Sequence, residues 1–187
     1  MTENLSQEPS RDFVPLNVAV MTVSDSRTEE TDKSGKLLAG RLSEAGHQLF
    51  EKTIVRDDIY DIRACLSLWI TASGVQVVLI TGGTGLTGRD GTPEAVRPLL
   101  DKEIPGFGEL FRVLSYDAIG TSSLQSRALA GVANGTIVFC LPGSSAACVL
   151  AWDSLIQHQL DFRTRPCNLA ELLPRLRESA PAPALAT

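Results

Sequence analysis

The stretch 75–95, VQVVLITGGTGLTGRDGTPEA, constrains the fold of this chain more than any other part of its sequence. It opens with an apolar run rich in β-branched residues, which stops at Thr81. Four glycines follow within seven positions: Gly82, Gly83, Gly85 and Gly88. A buried strand that leads through a glycine-rich loop into a helix is a common phosphate-binding arrangement in α/β proteins, because glycine lets the backbone approach the anion and free N–H groups point at it.

Asp90 does not fit a simple phosphate cradle. A carboxylate beside a bound anion repels it unless a cation lies between them, so Asp90 predicts a Mg²⁺ ion at this loop. Capping of the following helix is the alternative role for Asp90. Thr92 competes for that role, because Thr92-Pro93-Glu94 is a typical helix start.

Two better-known glycine loops fit this stretch less well. Residues 83–88 match G-x-G-x-x-G, but Arg89-Asp90-Gly91 delays the helix and no acid follows a strand about 20 residues on, which disfavours a dinucleotide site and a nicotinamide-dependent enzyme. For a nucleotide-binding P-loop, Arg89 and Asp90 stand where lysine and serine or threonine are needed.

The rest of the chain predicts a three-layer α/β/α fold with a mostly parallel sheet. Apolar strand patterns at 17–23, 47–55, 75–80 and 136–141 alternate with helical patterns. One of these helices is predicted to begin at Thr121 or Ser122 and to place Leu124, Ala128 and Val132 on one face, whereas 104–106 reads as a break. We expect one domain at 16–175, with a flexible arm at 1–15 and a flexible tail at 176–187.

Three informative loops follow the predicted parallel strands, at 24–34, 81–92 and 142–145. Ligands of such folds bind beyond the carboxyl ends of the strands, so we expect one composite site there. Ser24-Asp25-Ser26-Arg27 offers polar groups to a ligand, and Pro142-Gly143-Ser144-Ser145 offers hydroxyls and helix amides. The second anion-binding loop suits a ligand with more than one phosphate, or two phosphorylated ligands.

Composition excludes several classes of function. A formal net charge of −5 argues against a general nucleic-acid binder. No apolar run approaches the roughly 20 residues of a membrane span, and the polar N-terminus lacks a signal-peptide core, so we expect a cytoplasmic protein. The four cysteines and two histidines show no metal-ligand spacing. The cysteines are expected to be small buried packing residues, and the histidines to be surface or packing residues.

The motifs together resemble the MoaB/MogA family of molybdenum cofactor biosynthesis proteins, over about 16–175. The resemblance rests on SDSR at 24–27, D-x-S-G at 32–35, TGGTG at 81–85, RDGTPEA at 89–95, GTSSLQSRALAG from Gly120 and LPGSS at 141–145. TRPCN at 164–168 points to the MoaB branch.

This resemblance implies a molybdopterin-binding fold that assembles as homotrimers or homohexamers and acts with other molybdenum cofactor biosynthesis proteins. It implies that molybdopterin and ATP are substrates and Mg²⁺ a cofactor, with adenylylation of the pterin and release of pyrophosphate. Asp90 and Asp57 match the two acids that active members need, as catalytic and metal-binding residues. The implied binding residues are Ser24, Asp25, Ser26, Thr81, Gly82, Gly83, Thr84, Gly85, Thr92, Pro93, Glu94, Ser122, Pro142, Gly143, Ser144 and Ser145. The alternative is a non-catalytic molybdopterin carrier or scaffold in the same pathway.

Overall fold

The structure is a computed structural model that describes residues 11–177, and it contains a six-stranded sheet with helices on both faces. The strands are β1 (Asn17–Val23), β2 (Gln48–Val55), β3 (Val77–Thr81), β4 (Lys102–Glu103), β5 (Leu129–Ala133) and β6 (Thr136–Leu141). The helices are α1 (Lys33–Glu44), α2 (Ile59–Thr71), α3 (Thr92–Val96), α4 (Pro105–Ile119), α5 (Ser145–Ala151) and α6 (Gln157–Leu160). A π-helical turn, Trp152–Ile156, joins α5 to α6, and 3₁₀ turns cover Arg97–Leu99, Gly120–Gln125 and Ala170–Arg175.

The strand order is β2-β1-β3-β6-β5-β4. Strands β2, β1, β3 and β6 are parallel to one another. Strand β5 is antiparallel to β6, and β4 is antiparallel to β5. This confirms the predicted α/β class with a mostly parallel sheet. The carboxyl ends of β1, β3 and β6 lie side by side at one edge, which brings the three predicted loops together.

The predicted helix beginning at Thr121 or Ser122 is wrong. A 3₁₀ turn ends at Gln125, and Leu129–Ala133 is strand β5. The reason is a hairpin signal: Asn134 and Gly135 have φ angles of 47° and 77°, which suit a two-residue turn between antiparallel strands. Gly131 allows β4 to pack closely against β5, because a Cβ on it would lie 2.7 Å from the Lys102 carbonyl oxygen of β4.

The predicted break at 104–106 is confined to Ile104, the residue that precedes α4. Pro105 is the first residue of α4, a position that tolerates proline because its missing N–H has no helical partner. The remaining predicted strands match observed ones to within two residues.

Two apolar layers cover the sheet. On β1, Val18 and Val20 face one layer and Ala19 and Met21 face the other, which is the alternation expected of a strand buried on both sides. Both tryptophans are buried, Trp69 in one layer and Trp152 in the other. These layers hold the strand ends, and therefore the loops that follow them, in fixed positions.

Part of the predicted arm contacts the domain. Arg11 forms an ion pair with Glu171 at 3.0 Å, and the Phe13 ring lies 5.1 Å from the His47 ring. Residues 1–10 of the arm and 178–187 of the tail lie outside the described residues, so the predicted boundaries stay predictions. Within 11–177, the helices are all too short or too polar to cross a bilayer.

His47 is a buried packing residue whose protonation should control part of the stability. Its Nδ1 accepts a hydrogen bond from the Leu16 amide at 3.2 Å, and its ring meets Trp152 edge-on. Burial lowers the pKa of His47. The unfolded chain therefore takes up a proton more readily, and stability falls as the pH drops through about 6.5 towards the lower folded pKa.

We expect His47→Gln to flatten this dependence. Between pH 7 and pH 5, the thermal midpoint of the unsubstituted protein should fall by roughly 3 °C more than that of the variant. Thermal unfolding followed by circular dichroism measures it, with His158→Gln as the matched control. If the thermal midpoint falls equally in the unsubstituted protein and in His47→Gln, His47 does not cause the pH dependence.

Candidate functional site

A cavity of about 530 Å³ opens at the carboxyl edge of the sheet, where the loops after β1, β3 and β6 meet. Most of the residues predicted for the site line it. They are Ser24, Ser26, Thr81, Gly82, Gly83, Thr84, Gly85, Asp90, Ser122, Pro142, Gly143 and Ser144. The structure therefore brings all three predicted loops to one cleft.

The glycine loop passes through a space too narrow for side chains. Gly82 has a φ of 101°, and a Cβ on it would lie 2.2 Å from the Val23 carbonyl oxygen. On its other side, a Cβ on Gly143 would lie 3.3 Å from the Gly82 Cα. Only bare backbone fits between the ends of β1 and β6, and this backbone is what the loop presents to the cleft.

The amides of this loop are not equivalent. The Gly82 amide donates to the Leu141 carbonyl at 3.1 Å, and the Gly85 amide interacts with the Asp90 carboxylate. The Gly83 and Thr84 amides donate to no group within residues 11–177. Of the four amides at 82–85, those of Gly83 and Thr84 are therefore the ones available to bind an anion.

Thr92 stabilises the glycine loop through two hydrogen bonds to its carbonyl groups. Its amide donates to the Gly83 carbonyl at 2.9 Å and its hydroxyl donates to the Gly82 carbonyl at 2.8 Å. Thr92 and Pro93 are buried and Glu94 is exposed, and none of the three lines the cleft. These contacts turn the two carbonyls away from the ligand side of the loop.

Asp90 lies against the loop as an ionised carboxylate. Its Oδ2 accepts hydrogen bonds from the Thr87 hydroxyl at 2.6 Å and the Thr87 amide at 2.8 Å. These bonds, led by that from the hydroxyl, lower the pKa of Asp90. A Cβ on Gly85 would lie 2.6 Å from the same oxygen, so the Asp90 carboxylate packs directly against the backbone of Gly85.

Asp57 lies in the connection between β2 and α2, packs against the glycine loop and is outside the cleft lining. Its Oδ1 accepts from the Gly91 amide at 3.3 Å and would lie 3.0 Å from a Cβ on Gly83. Burial raises the pKa of Asp57, and the charges of Asp90 and Asp25 raise it further. Asp25 also lies outside the lining; it accepts from the Asp57 amide at 3.2 Å and pairs with Arg89 at 2.7 Å.

The donor set fits a divalent ion that is shared with a ligand. Among residues 11–177, no three acidic, histidine or cysteine side chains form a metal cage. Mg²⁺ commonly uses only one or two carboxylates and completes its shell with phosphate oxygens and water. Asp57 from the β2–α2 connection and Asp90 from the glycine loop supply two carboxylates beside Gly83 and Gly85, and the raised pKa of Asp57 is what a nearby cation would relieve.

The loop after β6 contributes less than predicted. Ser144 lines the cleft, but its hydroxyl already accepts from the Ala147 amide at 3.2 Å as the cap of α5. Ser145 is the first residue of α5 and does not line the cleft. The Pro142 carbonyl accepts from the Thr81 hydroxyl at 3.0 Å and ties this loop to the end of β3.

The opposite wall of the cleft was not predicted. It is formed by α4 and the following 3₁₀ turn, from Phe111, Ser115, Ile119, Gln125 and Ser126, besides Ser122. Residues 111, 115 and 119 follow one another at a spacing of four, which places them on one helical face. That spacing was visible in the sequence, yet it is equally typical of a face buried in the core. Arg27 of the predicted polar segment also lines the cleft, as do Thr22, Val23, Ser34 and Ala147, which were not predicted.

Comparison with known proteins defines the class first. Residues 19–161 match the family model described as a probable molybdopterin binding domain. The chain therefore belongs to this class of domain.

Relatives then identify the family. The chain is 57% identical over 159 residues to molybdenum cofactor biosynthesis protein B of Escherichia coli strain K12. The aligned region covers 85% of this chain and 94% of that protein. It is 49% identical over 142 residues to the protein of the same name from Bacillus subtilis strain 168, covering 75% and 84%. The chain therefore belongs to the MoaB/MogA family of molybdenum cofactor biosynthesis proteins.

Solved structures agree with this. The protein in a crystal structure of a molybdenum cofactor biosynthesis protein B is 44% identical in sequence to this chain. The two structures superpose with a TM-score of 0.81 over 89% of this chain and 98% of that chain. The tungsten cofactor synthesizing protein MoaB from Pyrococcus furiosus is 36% identical with a TM-score of 0.74, covering 88% and 98%.

Proposed function

We propose that this protein adenylylates molybdopterin. An oxygen of the terminal phosphate of the pterin attacks the α-phosphorus of ATP, the bond from that phosphorus to the β-phosphate oxygen breaks, and pyrophosphate leaves. The observation that supports this best is the placement of Asp57 and Asp90 against Gly83 and Gly85 of one phosphate-binding loop. A pure carrier needs the loop but has no use for two acids that repel its anionic ligand.

The residues of this chain then act mainly by positioning. The Gly83 and Thr84 amides hold a phosphate oxygen, and the polar groups of Ser24, Ser26 and Ser144 surround the second anionic group. A Mg²⁺ ion held by Asp57 and Asp90 would neutralise charge on the phosphates. A phosphate nucleophile is already ionised at neutral pH, so no side chain has to act as general base.

We propose that the protein acts as a homo-oligomer together with other proteins of the pathway. The family membership supports a homotrimer or homohexamer that receives molybdopterin from, and passes product to, other proteins of molybdenum cofactor biosynthesis. Size-exclusion chromatography with light scattering measures the assembly directly.

Arg27 is expected to bind the negative charge of the pterin phosphate. It lines the cleft, is exposed, and makes no side-chain hydrogen bond or ion pair within the described part of the chain. Its backbone is held by a bond from its amide to the Ser24 hydroxyl at 3.2 Å. Arg27→Gln should raise the KM for molybdopterin about 10-fold and change kcat by less than about 3-fold.

Steady-state kinetics with varied molybdopterin measures this effect. Arg56→Gln is the matched control, because Arg56 is an exposed arginine paired with Asp61 outside the cleft. An unchanged KM in Arg27→Gln would remove Arg27 from the binding site.

A pyrophosphate-release assay with molybdopterin and Mg-ATP tests the proposed function. Release should require both substrates and should match the amount of adenylylated pterin found by mass spectrometry. Tight binding of molybdopterin without any release would instead establish the carrier role and reject the enzyme.

A further inference from the structure

Arg127 reaches the glycine loop from a different part of the chain. It lies between the 3₁₀ turn Gly120–Gln125 and β5, yet its guanidinium donates three hydrogen bonds to the segment from β3 to α3. Its Nε donates to the Thr84 carbonyl at 3.3 Å, and its Nη2 donates to the Asp90 carbonyl at 2.8 Å. Its Nη1 forms an ion pair with the Glu94 carboxylate.

These three contacts fix both ends of one segment. The exposed residues of the loop, 86–89, lie between Thr84 and Asp90, and Glu94 belongs to the first turn of α3. Between the two ends, the described backbone bonds include only a turn from the Asp90 amide to the Thr87 carbonyl at 3.0 Å. A planar guanidinium can serve two carbonyls and a carboxylate at once because its donors diverge in a fixed fork.

Arg127 also joins the two walls of the cleft. Its neighbours Gln125 and Ser126 line the unpredicted wall, and its guanidinium holds the loop that carries Asp90. The side chain is only 26% exposed, so water competes weakly for these bonds.

We infer that Arg127 is a positioning residue for the glycine loop: it sets the distance between the Gly83 and Thr84 amides and the Asp90 carboxylate. This inference rests on the proposed function, because the distance matters when a phosphate and a divalent ion must meet between them. Arg127 itself does not line the cleft and is not a catalytic residue.

The experiment compares Arg127→Gln and Arg127→Lys in the full-length protein. Arg127→Gln should lower kcat for AMP transfer about 100-fold, since a small misplacement of reacting groups has effects of that size, with the KM for molybdopterin changed less than about 3-fold. Lysine should restore about a tenth of the lost rate or less, because one ammonium cannot serve two carbonyls and a carboxylate together.

A second readout needs no substrate. Hydrogen exchange followed by mass spectrometry should show faster exchange of the peptide covering 82–91 in Arg127→Gln, with β1 and α1 unchanged. Binding of Mn²⁺ to the ligand-free protein, followed by electron paramagnetic resonance, should weaken about 10-fold. Arg97→Gln is the matched control, because Arg97 lies on the 3₁₀ turn after α3, is 3.9 Å from Glu103 and does not line the cleft.

The outcomes separate this inference from the proposed function. If the unsubstituted protein transfers no AMP, the proposed function fails, while exchange and Mn²⁺ binding still decide whether Arg127 holds the loop. The inference is overturned if Arg127→Gln leaves the hydrogen exchange rate of the peptide 82–91 unchanged. It is also overturned if the kcat of Arg127→Gln stays within 3-fold of that of the unsubstituted protein. If Arg127→Gln does not fold, the same criteria apply to Arg127→Lys.

Discussion

Replacing Asp90 with asparagine is expected to lower kcat for AMP transfer about 10²- to 10³-fold while the affinity for molybdopterin stays nearly constant. Asparagine keeps an oxygen that can accept the Thr87 hydroxyl and amide bonds, so the loop should keep its shape. What is lost is the negative charge beside the phosphates, and with it the ability to hold a divalent ion.

Single-turnover kinetics with radiolabelled ATP, together with calorimetric titration of molybdopterin, separates the two quantities. Asp58→Asn is the matched control. Asp58 neighbours the second acid but caps α2 by accepting from the Tyr60 and Asp61 amides, a role that asparagine fills equally well. Equal turnover in Asp90→Asn would show that Asp90 has no part in catalysis.

Gly82→Ala should cause the largest structural effect of any single methyl group in the loop. The backbone at Gly82 has a φ of 101°, and the added Cβ would collide with the Val23 carbonyl oxygen, a backbone atom that cannot move without shifting β1. We expect the free energy of unfolding to fall by about 3 kcal/mol, which lowers the thermal midpoint by roughly 6 to 12 °C. Molybdopterin binding should be lost, because the neighbouring Gly83 amide moves.

Gly88→Ala is a control within the same loop. A Cβ on Gly88 would meet nothing within 4 Å, and its φ is not in the left-handed region. Its thermal midpoint should stay within about 2 °C of that of the unsubstituted protein. A midpoint for Gly82→Ala in the same range would mean that the loop is not confined as the structure shows.

Most of the parallel half of the fold could be predicted from the sequence because three of its four strands are apolar runs. β1, β3 and β6 are buried on both faces, and such runs end sharply at the loops that follow. Strand β5 escaped prediction because LAGVA consists mostly of small residues that suit a helix almost as well. Asn134-Gly135 was the signal that could have identified the hairpin.

The site was predictable as a set of loops but not as a set of contacts. Parallel strands must place their carboxyl ends at one edge, so the meeting of Ser24, Gly83 and Ser144 followed from topology alone. The wall from α4 did not follow, because Phe111 and Ser115 carry the same spacing as a core helix. The reach of Arg127 to Thr84 and Asp90 spans about 40 residues of sequence, and no local pattern encodes such a contact.

A crystal structure with molybdopterin, Mg²⁺ and an ATP analogue methylene-bridged between its α- and β-phosphates tests the central claim most directly. The predicted result places the terminal phosphate of the pterin about 3 Å from the Gly83 and Thr84 amides, with the metal ion between that phosphate and the Asp57 and Asp90 carboxylates. Phosphate density away from those two amides, or acids that do not reach the ion, would contradict the account.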